Sequence, residues 1–283
     1  MKKYTIMAIM YDFDKTLSTT DMQNYGFIPA LGMSPEEFWG ETGKFSKKTG
    51  CERILSYMYM MVYLAKQKNV KLTKEWLNSL GADIEYFPGV LSWFERINEY
   101  GKSKGVKIEH YLCSSGTKEI IEGTKIAKYF KNIYGCEFYF DPITKEPLWP
   151  KLAINYTQKT QYFFRIAKGV YDQNDDENLN SKSDKKRIPY SNIVYLGDGM
   201  TDVPCMLLVK NNGGHSIAIH RKKDQETMKA LVKGGRVNFS CLADYTEGSR
   251  LDKMVKLIID NIGADYSLKS REAAMIKKVL EEK

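Results

Sequence analysis

Apolar positions follow two rhythms along the chain. One is the short unbroken run: Ile6 to Phe13, Val106 to Cys113, Asn192 to Leu196 and Ser216 to Ile219, the first three stopped at once by a polar cluster. Such runs predict strands buried on both faces of a sheet. Cys136 to Phe140 and Leu148 to Asn155, around the turn Asp141-Pro142, predict two short strands, and Val237 to Ala243 another. The second rhythm is helical. It predicts helices over Val90–Lys104 (closed by Gly105), Lys118–Tyr129, Gln158–Lys168, Gln225–Gly234, Leu251–Ile262 and, at the end, Ser267–Lys283. Strands alternating with helices predict an α/β fold: a Rossmann-like parallel sheet with helices on both faces.

Between Ser18 and Phe87 the strand rhythm is absent. Ser34 followed by Pro35-Glu36-Glu37 starts one helix, Cys51 to Lys68 is apolar at helical spacing, and Thr73 to Leu77 opens another. This stretch reads as a helical insert after the first strand, and Pro88-Gly89 marks the return to the main body. Asp172 to Arg187 is polar and highly charged, as a surface loop is.

Composition narrows the function classes. The 283 residues are 43% hydrophobic and 28% charged, ordinary for a chain that buries a real core. The formal charge of +8 is spread out, the densest cluster being Lys185-Lys186-Arg187. A mild positive field favours anions such as phosphate esters. No basic stripe with interleaved aromatics supports a nucleic-acid partner. The five cysteines include no CxxC pair, so neither a disulfide framework nor a zinc site is expected, only buried reduced thiols. The apolar N-terminal run is cut short by Asp12 and Asp14, too early for a signal peptide. No stretch reaches the ~18–20 apolar residues of a membrane span, and Ile54 to Ala65 reads as a buried helix. The expectation is a cytoplasmic protein without membrane or nucleic-acid partners.

The polar clusters fall at the carboxyl ends of predicted strands, where sheets of this kind bind ligands. Asp12 and Asp14 follow the first strand. Two carboxylates so close repel, and a hard cation such as Mg²⁺ offsets them; a turn or helix cap is the plainer reading. Ser114 follows the second, its hydroxyl placed with the N–H groups near Gly116 to hold an anion or merely to cap a helix. Lys159 opens a helix, free to neutralise a phosphate or simply to meet water. Asp198 and Asp202 lie in Gly197-Asp198-Gly199-Met200-Thr201-Asp202, which is either a cation site or a turn rich in Asp and Gly.

Together these residues resemble the motifs of the haloacid dehalogenase (HAD) superfamily. Asp12-Phe13-Asp14-Lys15-Thr16 matches the first motif, DxDxT; Ser114 the second; Lys159 the third; and Asp198 with Asp202 the acidic pair of the fourth. The resemblance covers roughly residues 5–17 and 88–260, and is nearest to the phosphoserine phosphatase branch. It implies a core domain of residues 1–17 and 88–283, and a cap domain of residues 18–87. Asp12 would be the nucleophile and Asp14 the general acid and base. Mg²⁺ would sit among Asp12, the Asp14 carbonyl and Asp198, with Asp202 nearby. Ser114 and the N–H of Ser115 would hold the phosphate and Lys159 its charge, with Lys151 the fallback. Asp21 would contact substrate, and Arg53 would correspond to a carboxylate-binding arginine. Tyr25, Phe27, Trp39, Tyr57, Tyr59 and Tyr63 are expected in the core more than in a pocket. The expected activity is hydrolysis of a small phosphorylated substrate. The alternatives are phosphoryl transfer to an alcohol, and a silent phospho-ligand binding protein.

Overall fold

The computed structural model describes residues 4–181 and 186–281. Lys185 of the basic cluster and the last two residues of the predicted terminal helix lie outside them. Strand β1 (Thr5–Tyr11) is followed by helices α1 (Phe27–Ala30), α2 (Pro35–Thr49), α3 (Arg53–Gln67), α4 (Lys74–Ser79) and α5 (Val90–Ser103). Next come β2 (Val106–Thr117), α6 (Lys118–Glu122), β3 (Phe130–Phe140), β4 (Pro147–Leu152), α7 (Lys159–Lys168) and α8 (Asp176–Asn180). The chain closes with β5 (Ile193–Gly197), α9 (Val203–Asn211), β6 (His215–His220), α10 (Gln225–Lys233), β7 (Phe239–Leu242) and α11 (Arg250–Glu281).

The seven strands form one sheet in the order β4-β3-β2-β1-β5-β6-β7, parallel except for the β3–β4 hairpin. From the central β1 the chain first builds outward through β2 and β3, then restarts on the other side with β5. That switch opens a crevice at the carboxyl ends of β1 and β5. Helices α5 and α11 pack together on one face, and α7 and α9 on the other. β1 is therefore sealed on both sides, with Met7 to Tyr11 fully buried, which is why its sequence is apolar without alternation.

Alternation within β2 sorts its polar residues by face. His110 points toward α5 and meets the buried Tyr11 hydroxyl at 3.0 Å through Nδ1. Glu109 points the other way and accepts from Arg187, Lys131 and the Tyr111 hydroxyl. Burial alone raises a carboxyl pKa; these donors outweigh it and hold Glu109 down at about 2. Arg187 thereby pins the end of the polar loop to the sheet.

The stretch after β1 leaves and returns as a paired stem. Ser18 bridges Tyr86, Thr19 N–H donates to the Glu85 carbonyl (3.0 Å), and Phe87 N–H donates to the Leu17 carbonyl (3.1 Å). α2 begins with a capping box between Ser34 and Glu37 and ends at Gly50 in the left-handed region (φ 71°). Farther along, this stretch meets α6 backbone to backbone. A Cβ on Gly81 would lie 2.4 Å from the Ile120 carbonyl oxygen, and one on Gly123 would lie 1.7 Å from that of Asn78.

Several predicted elements differ in detail. The helix expected over Lys118–Tyr129 stops at Glu122, where Thr124 turns its hydroxyl back onto the Ile121 carbonyl (2.7 Å). β3 starts at Phe130, not Cys136, because Phe130 to Tyr134 pair in parallel with His110 to Cys113 despite the polar Lys131 and Asn132. The expected loop contains α8. α9 follows its strand so closely that the sequence pattern hid it. The two helices expected at the end are one, α11: Gly263 lies within it without breaking it, and a Cβ there would come 2.7 Å from the Lys104 carbonyl. Four of the five cysteines are buried and all are unpaired. Among the described residues no helix is long and apolar enough to cross a membrane.

Candidate active site

The polar clusters after β1, β2 and β5 all contribute residues to one cavity beside β1. Asp12 follows the last residue of β1, and its N–H donates to the Leu196 carbonyl of β5 (2.9 Å). Lys159, the first residue of α7, is 2% exposed. Its Nζ donates to Asp12 Oδ1 (2.7 Å) and to Asp202 Oδ1 (2.9 Å). Asp202 is fully buried and held from all sides: the Tyr195 hydroxyl donates to Oδ1 (2.6 Å), and the N–H groups of Asp198 and Gly199 donate to Oδ2 (3.2 and 3.4 Å). Carboxylate oxygens of Asp12, Asp198 and Asp202 all lie within 4.8 Å of one another.

Three carboxylates against one ammonium leave a surplus of negative charge in a dry site, and the proton affinities register it. Burial, then Asp202, push Asp12 up to about 6, with Lys159 pulling against them. Burial, then Asp12 and Asp202, push Asp198 up to about 8. Burial favours a neutral Lys159, but Asp12 and Asp202 outweigh it and raise its pKa well above the ordinary value. An all-oxygen, charge-rich donor set of this kind fits a hard divalent cation.

Asp14 is outside the trio. Its Oδ1 accepts from the Met22 N–H (2.8 Å), and burial, then Asp21 and Asp12, raise its pKa well above the usual range. The conformation that turns the chain here is carried by Lys15, at φ 59°. Lys15 Nζ then pairs with Asp21 (2.7 Å), so the predicted substrate-binding carboxylate already has a cation. Ser114 is buried, with Oγ accepting from the Gly116 N–H (2.9 Å). These N–H groups belong to a bulged strand end, since β2 runs on to Thr117, and not to the helix start that the sequence suggested. Gly116 is required: a Cβ there would strike Met22 at 2.0 Å and come 3.0 Å from Asp14 Oδ2. The glycines flanking Asp198 differ from each other. Gly197 makes room for the Asp202 carboxylate (2.6 Å from a would-be Cβ), while Gly199 faces no close neighbour.

Asp12, Asp14, Asp21, Arg53, Ser114, Ser115, Lys159 and Asp198 share the lining of a cavity of about 360 Å³. Lys151 is not among them; it pairs with Glu137 (2.6 Å) at the surface. Of the six aromatics expected in the core, Phe27 and Tyr57 are buried there, Tyr25 and Trp39 pack partly buried against it, and Tyr59 and Tyr63 are exposed; Trp39 and Tyr57 also line an adjoining cavity. Lys15 and Tyr195 escaped the sequence reading. The x of DxDx carries no chemical signal, and Tyr195 reads as one more strand residue.

The same arrangement of strands is found in solved structures. The chain superposes on a HAD family hydrolase from Salmonella enterica serovar Typhi over 89% of its own length and 70% of that chain, with a TM-score of 0.56 and 17% identity. The fold is that of the HAD phosphatases, of the phosphoserine phosphatase type. A phosphoserine phosphatase in its apo form matches this HAD fold over 89% of this chain and 98% of that one, with a TM-score of 0.53 and 15% identity. By sequence, the chain is 28% identical over 278 residues to an uncharacterized protein of Borreliella burgdorferi, covering 88% of this chain and 95% of that one. No family model matches.

Proposed function

We propose that the protein is a magnesium-dependent phosphomonoester hydrolase that works through an aspartyl-phosphate on Asp12 and acts on a small phosphorylated metabolite. One observation carries this reading: oxygens of Asp12, Asp198 and Asp202 lie within 4.8 Å of one another, and Asp12 and Asp198 line a cavity that also takes in Asp14. The catalytic core is residues 1–17 and 88–283, and residues 18–87 are its cap.

Asp12 attacks phosphorus, forming an Oδ–P bond as the ester P–O bond breaks. Asp14, whose hold on a proton is strengthened by burial and by Asp21 and Asp12, passes its proton to the departing alkoxide oxygen. It then removes a proton from a water, whose oxygen joins phosphorus and releases phosphate and the Asp12 carboxylate. Ser114 Oγ and the Ser115 N–H hold phosphoryl oxygens, and Lys159 stabilises their charge and fixes Asp12 by its Oδ1. Asp12, Asp198, Asp202 and the Asp14 carbonyl would hold Mg²⁺, whose positive charge would offset the negative charge of the phosphoryl oxygens. Asp202, already gripped by Lys159 and Tyr195, keeps that set in register. Asp21 contacts the substrate from the cap side.

The test is phosphate release from a panel of phosphomonoesters with Mg²⁺. Wild type should release phosphate, and chelator should stop it. Asp12→Asn should fall to background and lose the beryllium fluoride adduct at that residue. Full turnover in Asp12→Asn would end the covalent scheme.

A further inference from the structure

Lys15, Asn69 and Lys145 are the non-glycine residues at positive φ among the described residues. Asn69 and Lys145 are exposed. Lys15, at φ 59°, instead lines the cavity beside β1. Its backbone conformation suits glycine and strains any residue with a Cβ. The lysine side chain therefore needs a reason of its own to stand there.

Its ammonium meets both oxygens of Asp21, Oδ1 at 2.8 Å and Oδ2 at 2.7 Å. The charge of that carboxylate is thus answered from within the protein. The pair is not sealed off: the side chains are 32% and 28% exposed, and both residues line the cavity together with Asp14. An ammonium has three N–H groups. With one given to each Asp21 oxygen, the third has no partner among the described residues. Burial works against the charge on Lys15, and Asp21, with Asp198 and Asp14 behind it, outweighs burial and raises the pKa.

The rest of the wall has the same balance. Glu52 Oε2 accepts from the N–H groups of Ile54 and Leu55 (2.8 and 3.1 Å). Arg53, next to it, has no ion pair among the described residues. An adjoining cavity of about 410 Å³ adds Lys47 and Gln23, and no acid beyond Asp14 and Asp21. An occupant of this end meets donors and cations more than bare carboxylates.

We infer that Lys15 is a specificity residue: it donates to an acceptor oxygen, hydroxyl or carboxylate, on the alcohol half of the ester, and with Asp21 it rejects alcohols that carry an ammonium at that place. This rests on the hydrolase reading above and makes it specific, since Asp21 then meets the substrate through Lys15. Without the lysine, Asp21 would face the cavity as an unpaired carboxylate and accept an ammonium.

Two esters that differ only in this group test it: 2-hydroxyethyl phosphate and 2-aminoethyl phosphate. The wild type should favour the hydroxyl ester in kcat/KM by tenfold or more. Lys15→Met should lower that ratio at least tenfold, through KM. Lys15→Gly suits the backbone and should lower it as far, which guards against a methionine variant that folds poorly. A ratio within twofold of wild type in both variants, with both esters hydrolysed, overturns the inference and leaves the hydrolase standing. So does a wild type that favours the amine. Calorimetry of the two esters with Asp12→Asn reads the same preference as affinities, whether or not either ester turns over. Tighter binding of the hydroxyl ester, lost when Lys15→Met is added, upholds the inference. Equal affinities, or binding of neither ester, overturn it.

Discussion

Replacing Lys159 by methionine removes the one ammonium that, among the described residues, pairs with Asp12 and Asp202, while keeping most of the volume. The side chain makes two charge-assisted contacts, 2.7 Å to Asp12 and 2.9 Å to Asp202. At an effective dielectric constant of about 20, each contact is worth roughly 6 kcal/mol of raw attraction. Much of that offsets the cost of taking the lysine out of water. The measurable loss is the penalty for stranding charge in a dry site, about 3–5 kcal/mol for a buried pair broken on one side. Against a total stability of about 5–15 kcal/mol, that is large. The sign with pH follows from the carboxylates. Asp12 sits at about 6 with the lysine present, and without it Asp12 holds its proton to still higher pH. The deficit should be full near pH 8 and shrink toward pH 5, as protonation removes the stranded charge. Urea unfolding of both proteins in chelator, across that range, measures it. A deficit under about 1 kcal/mol at pH 8, or one that grows on acidification, would refute the reasoning.

Two further changes probe the scaffold. Glu119 is 1% exposed, with Oε1 accepting from the Phe138 N–H (3.0 Å) and Oε2 unpartnered, and burial above all raises its pKa from 4.5 to about 7. A raised carboxyl contributes most below the unfolded value and less as pH climbs to 7, so Glu119→Gln should stabilise by roughly 3 kcal/mol at pH 8 and by little at pH 4, read by thermal melts. Arg187→Met should destabilise by about 1–2 kcal/mol at pH 7, with Lys131 still present to hold Glu109. Because Glu109 is depressed to about 2, that deficit should fade as pH drops below about 4; a deficit constant down to pH 3 would contradict the role given to this pair.

The sequence announced the sheet because burial on both faces leaves an unbroken apolar run, as in Met7 to Tyr11. It pointed to Asp12, Asp14, Ser114, Asp198 and Asp202 because each stands just past the end of such a run, and to Lys159 only through the family resemblance. What it hid is what depends on neighbours distant in the chain. β3 reaches back to Phe130 only because β2 offers it a partner. Gly263 does not break α11 because a close helix approach, not a turn, demands it. Trp39 and Tyr57 have the spacing of core residues, and only the packing of α2 on α3 turns part of each ring toward a cavity.

The contacts at Gly81 and Gly123 limit how the proposed cap, residues 18–87, would hinge. Where main chain rests directly on main chain, no side chain is available to swing aside, so that end of the cap is tied to α6. In the proposed enzyme an opening would have to come from the α2–α3 pair, which meets the strand end beside Ser114 through the Tyr57 hydroxyl on the Ser115 carbonyl, and from the paired stem at Ser18 and Tyr86.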